Sequence, residues 1–174
     1  MSYKMVNPNT RIDWYPLAGI TNGAAPTVAQ LNAGTRISGA VTTGYSIKFN
    51  DSDTDPSKTV EDEGNVETPT LKNYEGKISL FKDELGTGTQ DVPIPATVFT
   101  TAVNLFKVPY VEGWLVTRYG RKATVAYAAG HKVSVFRFKN DYPRTVEGDA
   151  GNPIMVEVDF LPQGEAYPNV AVVA

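Results

Sequence analysis

The sequence contains no cysteine. Disulfide frameworks, cysteine-ligated zinc, iron–sulfur clusters and thiol catalysis are therefore excluded. A single histidine, His131, rules out metal sites built on two or three histidines and leaves little for acid–base work. No apolar run approaches the roughly 18 residues that a spanning helix needs. The opening segment Met1-Ser2-Tyr3-Lys4-Met5-Val6-Asn7-Pro8 has no apolar stretch of the secretory type. These two features predict a protein made in a cytoplasm, with no membrane anchor. Excess positive charge is also missing. Lys and Arg number 16 against 19 Asp and Glu, a net charge of −3, so no global basic field attracts nucleic acid.

What is present fits an ordinary globular domain. The 174 residues are 41% apolar and 20% charged, enough for one domain with a core of its own, plus arms or long loops. Glycine (15) and proline (12) are frequent, which favours short strands joined by turns.

Residues 1–30 read as an N-terminal arm, punctuated by Asn7-Pro8, Tyr15-Pro16, Asn22-Gly23 and Ala25-Pro26. The arm carries Trp14, Tyr15, Leu17 and Ile20, which a disordered tail would not use in this way. Two readings remain open: a strand and loop folded onto its own core, or an arm laid on a neighbouring subunit. Residues 31–174 read as a single β domain. Strands are expected over Ile37–Phe49, Thr68–Phe81, Trp114–Tyr119, Ala123–Ala128, Lys132–Phe138 and Ile154–Phe160. Trp114 to Thr117 is apolar on both faces, as in a strand covered on two sides. Val133 and Val135 oppose Phe136 and Phe138. Ile154, Val156, Val158 and Phe160 point inward, leaving Glu157 and Asp159 outward.

One helix is expected over about 92–108. Asp91 is its N-cap, Pro93 and Pro95 lie in its first turn, and Val98, Ala102, Leu105 and Phe106 mark one face. Its β-branched residues lower its intrinsic propensity, so packing against a sheet must hold it. The fold class is thus mainly β: an antiparallel sandwich or barrel of about six to seven strands, one flanking α-helix, and a long acidic loop or hairpin.

That loop spans 50–67. Between Asp51 and Glu67 it has seven acidic residues against one lysine, a density that cannot be buried unpaired. Asp51-Ser-Asp-Thr-Asp resembles the start of a calcium loop, but the pattern wants Gly and Glu where Pro56 and Asp62 stand. Gly86-Thr-Gly and Gly130-His-Lys lack the spacing of phosphate loops and read as turns. No acid–base constellation is visible, so no enzyme, cofactor or metal is expected.

Basic residues gather in the second half. Arg118, Arg121, Lys122, Lys132, Arg137, Lys139 and Arg144 fall within 27 residues that hold one acid, Asp141. A nucleic-acid platform would want aromatics on the same face, yet Phe136 and Phe138 lie opposite Arg137. In a homo-oligomer the acidic loop and the basic half attract each other head to tail. The contact residues expected from this are Asp51, Asp53, Asp55, Glu61, Asp62 and Glu63 on one side and Arg118, Arg121 and Lys122 on the other.

The order of motifs resembles the major tail tube protein of long, non-contractile-tailed phages, in the form common among actinobacterial phages. The segments that carry the resemblance are Leu31-Asn-Ala-Gly-Thr-Arg-Ile-Ser, Thr68-Pro-Thr-Leu-Lys-Asn-Tyr-Glu-Gly-Lys-Ile-Ser-Leu-Phe-Lys-Asp, Glu112-Gly-Trp-Leu-Val-Thr-Arg-Tyr-Gly-Arg and Ala129-Gly-His-Lys-Val-Ser-Val-Phe. The match covers roughly 31–160. It implies a structural virion protein, assembled in the host cytoplasm, with no catalytic residues. Hexameric rings would stack into a tail tube, other tail proteins would bind the tube ends, and genomic DNA would pass through without specific binding. Glu157 and Asp159 are then candidates for the lumen, although alternation alone cannot tell lumen from tube exterior. A different class also fits the composition: a monomeric β-sandwich binding module of carbohydrate or adhesin type, with Trp14, Trp114 and the nine tyrosines as a sugar platform.

Overall fold

The computed structural model describes residues 9–55, 68–71, 73–82, 97–146 and 154–174. In chain order these form β1 (Thr10–Pro16), a 3-10 turn at Leu17–Gly19, α1 (Val28–Asn32), β2 (Thr35–Arg36), β3 (Ser46–Phe49), β4 (Asp53–Asp55), β5 (Thr68–Leu71), β6 (Tyr74–Phe81), α2 (Val98–Phe106), β7 (Glu112–Tyr119), β8 (Lys132–Asn140), β9 (Arg144–Val146) and β10 (Met155–Ala171). Eight strands make one antiparallel sheet in the order β2-β1-β7-β8-β10-β6-β3, with β9 also beside β10. β4 and β5 form a separate two-stranded ribbon. This is the mainly β, antiparallel architecture with a flanking helix that the sequence predicts.

The sheet is curled. Three strand spacings separate β1 from β10, about 14 Å if the sheet were flat. Yet Trp14 of β1 stacks on Phe160 of β10 with ring centroids 5.8 Å apart. Phe106 of α2 meets both rings edge-on, at 5.1 Å and 5.3 Å, and plugs the curl. Residues 37–42 bridge the opening. Ile37 and Ser38 donate their N–H groups to the Ile12 carbonyl (2.9 and 3.1 Å). Further on, Thr42 donates to Ser79 (2.8 Å) and Phe81 donates to Ala40 (3.0 Å), tying β1 to β6.

The inner face of the curl buries Ile12, Trp14, Leu115, Phe136, Phe138, Val156, Val158, Phe160, Ile78 and Leu80 against Ala102 and Phe106. The opposite face of β1, β7 and β8 buries Tyr15, Trp114, Val116, Val133 and Val135 against Leu31, Tyr127 and Val172. The two-sided burial read from Trp114–Thr117 and from the Val/Phe opposition on β8 is therefore present. α1 covers part of this second face. Thr27 and Gln30 close a reciprocal capping box at its start. The Tyr15 hydroxyl donates to the Leu31 carbonyl (2.7 Å) at its heart.

Several expectations are corrected. Of the two readings of the arm, residues 10–32 follow the first: β1 sits inside the chain's own sheet, between β2 and β7. The strand expected over 37–49 is only Ser46–Phe49, because 37–45 turns to bridge the curl. Residues 123–128 form turns and irregular backbone, not a strand. The described helix starts at Val98 with Thr97 as its N-cap, the Thr97 hydroxyl accepting from Thr100 N–H (3.2 Å). Asp91, Pro93 and Pro95 lie outside the described residues. Val98 is exposed, and the buried stripe runs through Ala102 and Phe106, with Phe99, Val103 and Leu105 partly covered. Ile154 precedes β10 and is exposed rather than inward.

β10 also runs beyond Phe160, through Pro162, Gly164 and Pro168, residues that normally end a strand. Register shifts after Pro162 and after Tyr167 absorb them, with Gly164 (φ 80°) and Asn169 (φ 52°) in the left-handed region.

Because Phe106 fills the space between Trp14 and Phe160, Phe106→Ala is expected to destabilise the subunit by about 3–5 kcal/mol. Val98→Ala, at the exposed start of the same helix, should stay within about 0.5 kcal/mol. Urea unfolding midpoints of the two variants check this.

Candidate assembly surface

The second face of the sheet is covered only over β1, β7 and β8. Over β10, β6 and β3 it is open and charged. Period-two alternation dictates this: Val156, Val158 and Phe160 turn inward, as do Ile78 and Leu80 on β6, so Glu157, Asp159, Lys77 and Glu75 turn out. Lys48 of β3 lies opposite Glu75 and pairs with it at 3.3 Å. Ser46 Oγ donates to Glu75 Oε1 (2.7 Å) and Asn50 donates to Oε2 (3.1 Å). These hydrogen bonds, Ser46 first, hold the Glu75 carboxyl below its usual range.

Glu157 and Asp159 are the two residues predicted to face outward, and they do, but neither is bare. Lys77 Nζ reaches Glu157 at 3.1 Å, and Arg144 of the adjacent β9 reaches both Glu157 (3.8 Å) and Asp159. Arg137 of β8 bonds Glu112 of β7 (2.6 Å) on one side and Glu165 of β10 (2.9 Å) on the other. The pattern is a ladder of alternating sign in which Lys48, Lys77, Arg137 and Arg144 each have a carboxylate partner within the chain.

The acidic ribbon stands beside this face. Asp51 and Asp53 are exposed, and Asn73 Nδ2 donates to the Asp51 carbonyl (3.1 Å) and to Asp53 Oδ1 (3.0 Å). Asp55 ends β4. Glu61, Asp62 and Glu63 lie outside the described residues. β3 ends the sheet on this side, and among the described residues no strand pairs with its outer edge.

The basic residues divide. Arg121 and Lys122 are exposed on the loop between β7 and β8. Arg118 is not a surface residue, which corrects its place among the expected contacts. It shares the parity of Trp114 and Val116 and is 1% exposed. Its guanidinium donates to the carbonyls of Lys122 (3.0 Å), Val125 (2.8 Å) and Ala126 (3.2 Å), so it fastens the loop from inside. Arg11 also donates to the Val125 carbonyl (2.9 Å), and both guanidiniums lie over the Tyr127 ring, at 4.4 and 4.9 Å.

Among the described residues, the only carboxylate in this buried cluster is Asp13. Its Oδ2 accepts from Arg11 Nε and from the Tyr127 hydroxyl, both at 2.6 Å. Burial, reinforced by Asp13, pushes the Tyr127 hydroxyl well above its ordinary pKa. Asn32 completes the latch by exchanging hydrogen bonds with the backbone of Tyr127 (2.9 and 3.1 Å). His131, also on this loop, accepts from Ala128 N–H (3.2 Å). Partial burial and its neighbours Arg121 and Arg118 lower its pKa. Sequence reasoning missed Arg11 and Asp13, although their alternation with Ile12 and Trp14 is the period of a strand.

Trp14 and Trp114 are both buried, so neither is available to a sugar platform. What the described surface offers is a charged open sheet face, an unpaired edge, an acidic ribbon and a pinned basic loop.

Compared with known protein families, the chain matches the model described as "Phage tail tube protein" over residues 2–174. No curated protein matches it.

Among the described residues, Asp13 is the sole counter-charge for two buried guanidiniums. Asp13→Ala should therefore cost about 3–5 kcal/mol of subunit stability, because it strands buried positive charge. Arg121→Ala and Lys122→Ala should each stay within about 0.5 kcal/mol. Thermal unfolding of the three variants reads the contrast; a mild Asp13→Ala would show that the cluster does not hold the loop.

Proposed function

We propose a role that starts from family membership: this chain belongs to the phage tail tube protein family, and its copies close into hexameric rings that stack into the tail tube. The tube is of the long, non-contractile type found among actinobacterial phages and is assembled in the host cytoplasm. Other tail proteins bind its ends, and DNA passes through it from capsid to host cell. The protein is a structural part of the virion, and no catalytic step is assigned to it.

The observation that carries this reading is the charged half-face of β10, β6 and β3 beside an unpaired edge. A monomer has no use for an open edge and must protect it, whereas a ring uses such edges for closure. Joining β3 of one subunit to the sheet of the next would continue the charged face around a channel. DNA binds where Lys and Arg neutralise phosphates and release counterions. On this face Lys48, Lys77, Arg137 and Arg144 are each paired with a carboxylate of their own chain, so they have little to offer a phosphate. Glu157 and Asp159 would then line the lumen as members of a balanced ladder, and DNA would stay mobile because the lining does not bind it.

Stacking is assigned to the ribbon. Asp51, Asp53 and Asp55, with Glu61, Asp62 and Glu63, meet Arg121 and Lys122 of an adjacent subunit; Arg118 takes no part because it is buried. Each exposed pair contributes about 0–1 kcal/mol, so several must act together to set register.

Negative-stain images of the purified chain at high concentration test the reading directly: rings or tubes support it, and a protein that remains monomeric opposes it. The triple variant Asp51→Lys, Asp53→Lys, Asp55→Lys should leave the melting temperature within a few degrees and still form rings, but those rings should not stack. Normal tubes from the triple variant would exclude the ribbon from stacking. Tubes of the unmodified chain should also shorten between about 0.1 and 1 M salt, as the Debye length falls from about 10 to 3 Å.

A further inference from the structure

We propose that Val108, Tyr110, Val111 and Tyr142 form the apolar anchor by which one subunit docks on a second copy of this chain. The inference rests on the self-assembly reading above and adds to it the surface that does the work. The four side chains are 62%, 52%, 39% and 60% exposed. The two tyrosine rings meet edge-to-face, with centroids 5.2 Å apart. Scattered exposed apolar residues are normal, but here they are gathered at one end of the β7–β8 pair.

The patch is also rigid. Asn140, fully buried at the end of β8, holds the segment after α2 by its side chain and backbone together. Its Nδ2 donates to the carbonyls of Phe106 (3.3 Å) and Val108 (2.9 Å), and its Oδ1 accepts from Val111 N–H (2.9 Å). Its backbone accepts from Tyr110 N–H (2.8 Å) and donates to the Val111 carbonyl (3.2 Å). Tyr110 is thereby fixed at φ 64°, the left-handed region that favours glycine or asparagine. The turn closes the backbone onto Asn140, but the ring it presents is half in water and takes no part in that closure. Strain held in place by surrounding hydrogen bonds points to a use outside the chain. Rigid aromatics on a pinned loop are suited to be hot spots, because little freedom is lost when they are covered.

The size of the patch fits one kind of occupant. Aromatic side chains offer about 150–250 Å² each, so the two half-exposed tyrosines present roughly 200 Å². A stable pairwise interface needs about 800 Å² per partner. The patch is too small to hold a partner by itself and is sized as the centre of a larger contact. Copies that also meet through the sheet edge and the acidic ribbon would supply the remainder, and the family assigns the chain to an assembly of its own copies.

The test uses the full chain and three variants: Tyr110→Gly, Tyr142→Ser and the double. Sedimentation velocity and negative stain give the concentration at which rings or tubes appear, and thermal unfolding gives subunit stability. For Tyr110→Gly the melting temperature should hold or rise, because strain is relieved, while the assembly concentration should rise at least tenfold; Tyr142→Ser should act in the same direction. If the unmodified chain assembles and the variants assemble at the same concentration, the anchor is overturned and self-assembly stands. If the unmodified chain never assembles, both readings fall together. Nitration by tetranitromethane provides an arm that needs no variant. Tyr110 and Tyr142 should be protected in tubes and modified in dissociated subunits, and equal modification in both would also overturn the anchor.

Discussion

A sheet has two faces, and this one must satisfy different demands along its width. β1, β7 and β8 bury apolar side chains on both faces, so Trp114 and Val116 pack one way while Leu115 packs the other. Both faces of a strand can be dry only if something covers each. α2 and the curl of the sheet cover one; α1, the 121–131 loop and the end of β10 cover the other. The remaining strands, β10, β6 and β3, bury one face alone, and their second face is left to charge. All of these strands thus share one core on the inner face, and only β10, β6 and β3 turn their other face to the surroundings. Phe106, between Trp14 and Phe160, is where β1 and β10 are joined across the curl.

Where periodicity governed, the sequence was legible. The alternation from Val156 to Phe160 and the two-sided run at Trp114–Thr117 are direct consequences of strand geometry. Pairing and closure were not legible in the same way. Residues 37–45 are apolar enough to read as strand, but their task is to bridge from Ile12 to Ser79 and Phe81, which only the curled sheet defines. The strand's continuation past Phe160 is hidden by Pro162, Gly164 and Pro168, because nothing local announces that β8 will carry the pairing through two register shifts. α1 leaves only a short signal: Thr27 and Gln30 have the spacing of a capping box, but five residues are too few for an apolar period to show. For Arg118, charge alone points to the surface, and parity points inward. The residue stands two residues from Val116 and four from Trp114, so it had to point where they point.

Two buried polar side chains perform the same task at opposite ends of one hairpin. At the end where β7 begins and β8 stops, Asn140 satisfies the carbonyls of Phe106 and Val108 and the N–H of Val111. At the other end, Arg118 satisfies the carbonyls of Lys122, Val125 and Ala126. Loops leave backbone groups without ladder partners, and a buried amide or guanidinium can saturate several of them at once. Apolar packing would not do this, because it would strand those carbonyls away from water. The cost is the desolvated charge of Arg118 and Arg11, which Asp13 and the Tyr127 ring offset.

Pinned loops also suit assembly. A flexible loop gives up freedom when a partner covers it, and the loss recurs in every subunit of a repeating structure. Fastening both hairpin ends inside the subunit places that cost in folding, where it is met once by the buried core. The exposed residues then have defined positions before any partner arrives: Tyr110 and Tyr142 at one end, Arg121 and Lys122 at the other. A chain that carries distinct rigid surfaces at the two ends of one hairpin can meet its copies head to tail, the contact from which closed rings and stacked tubes are built.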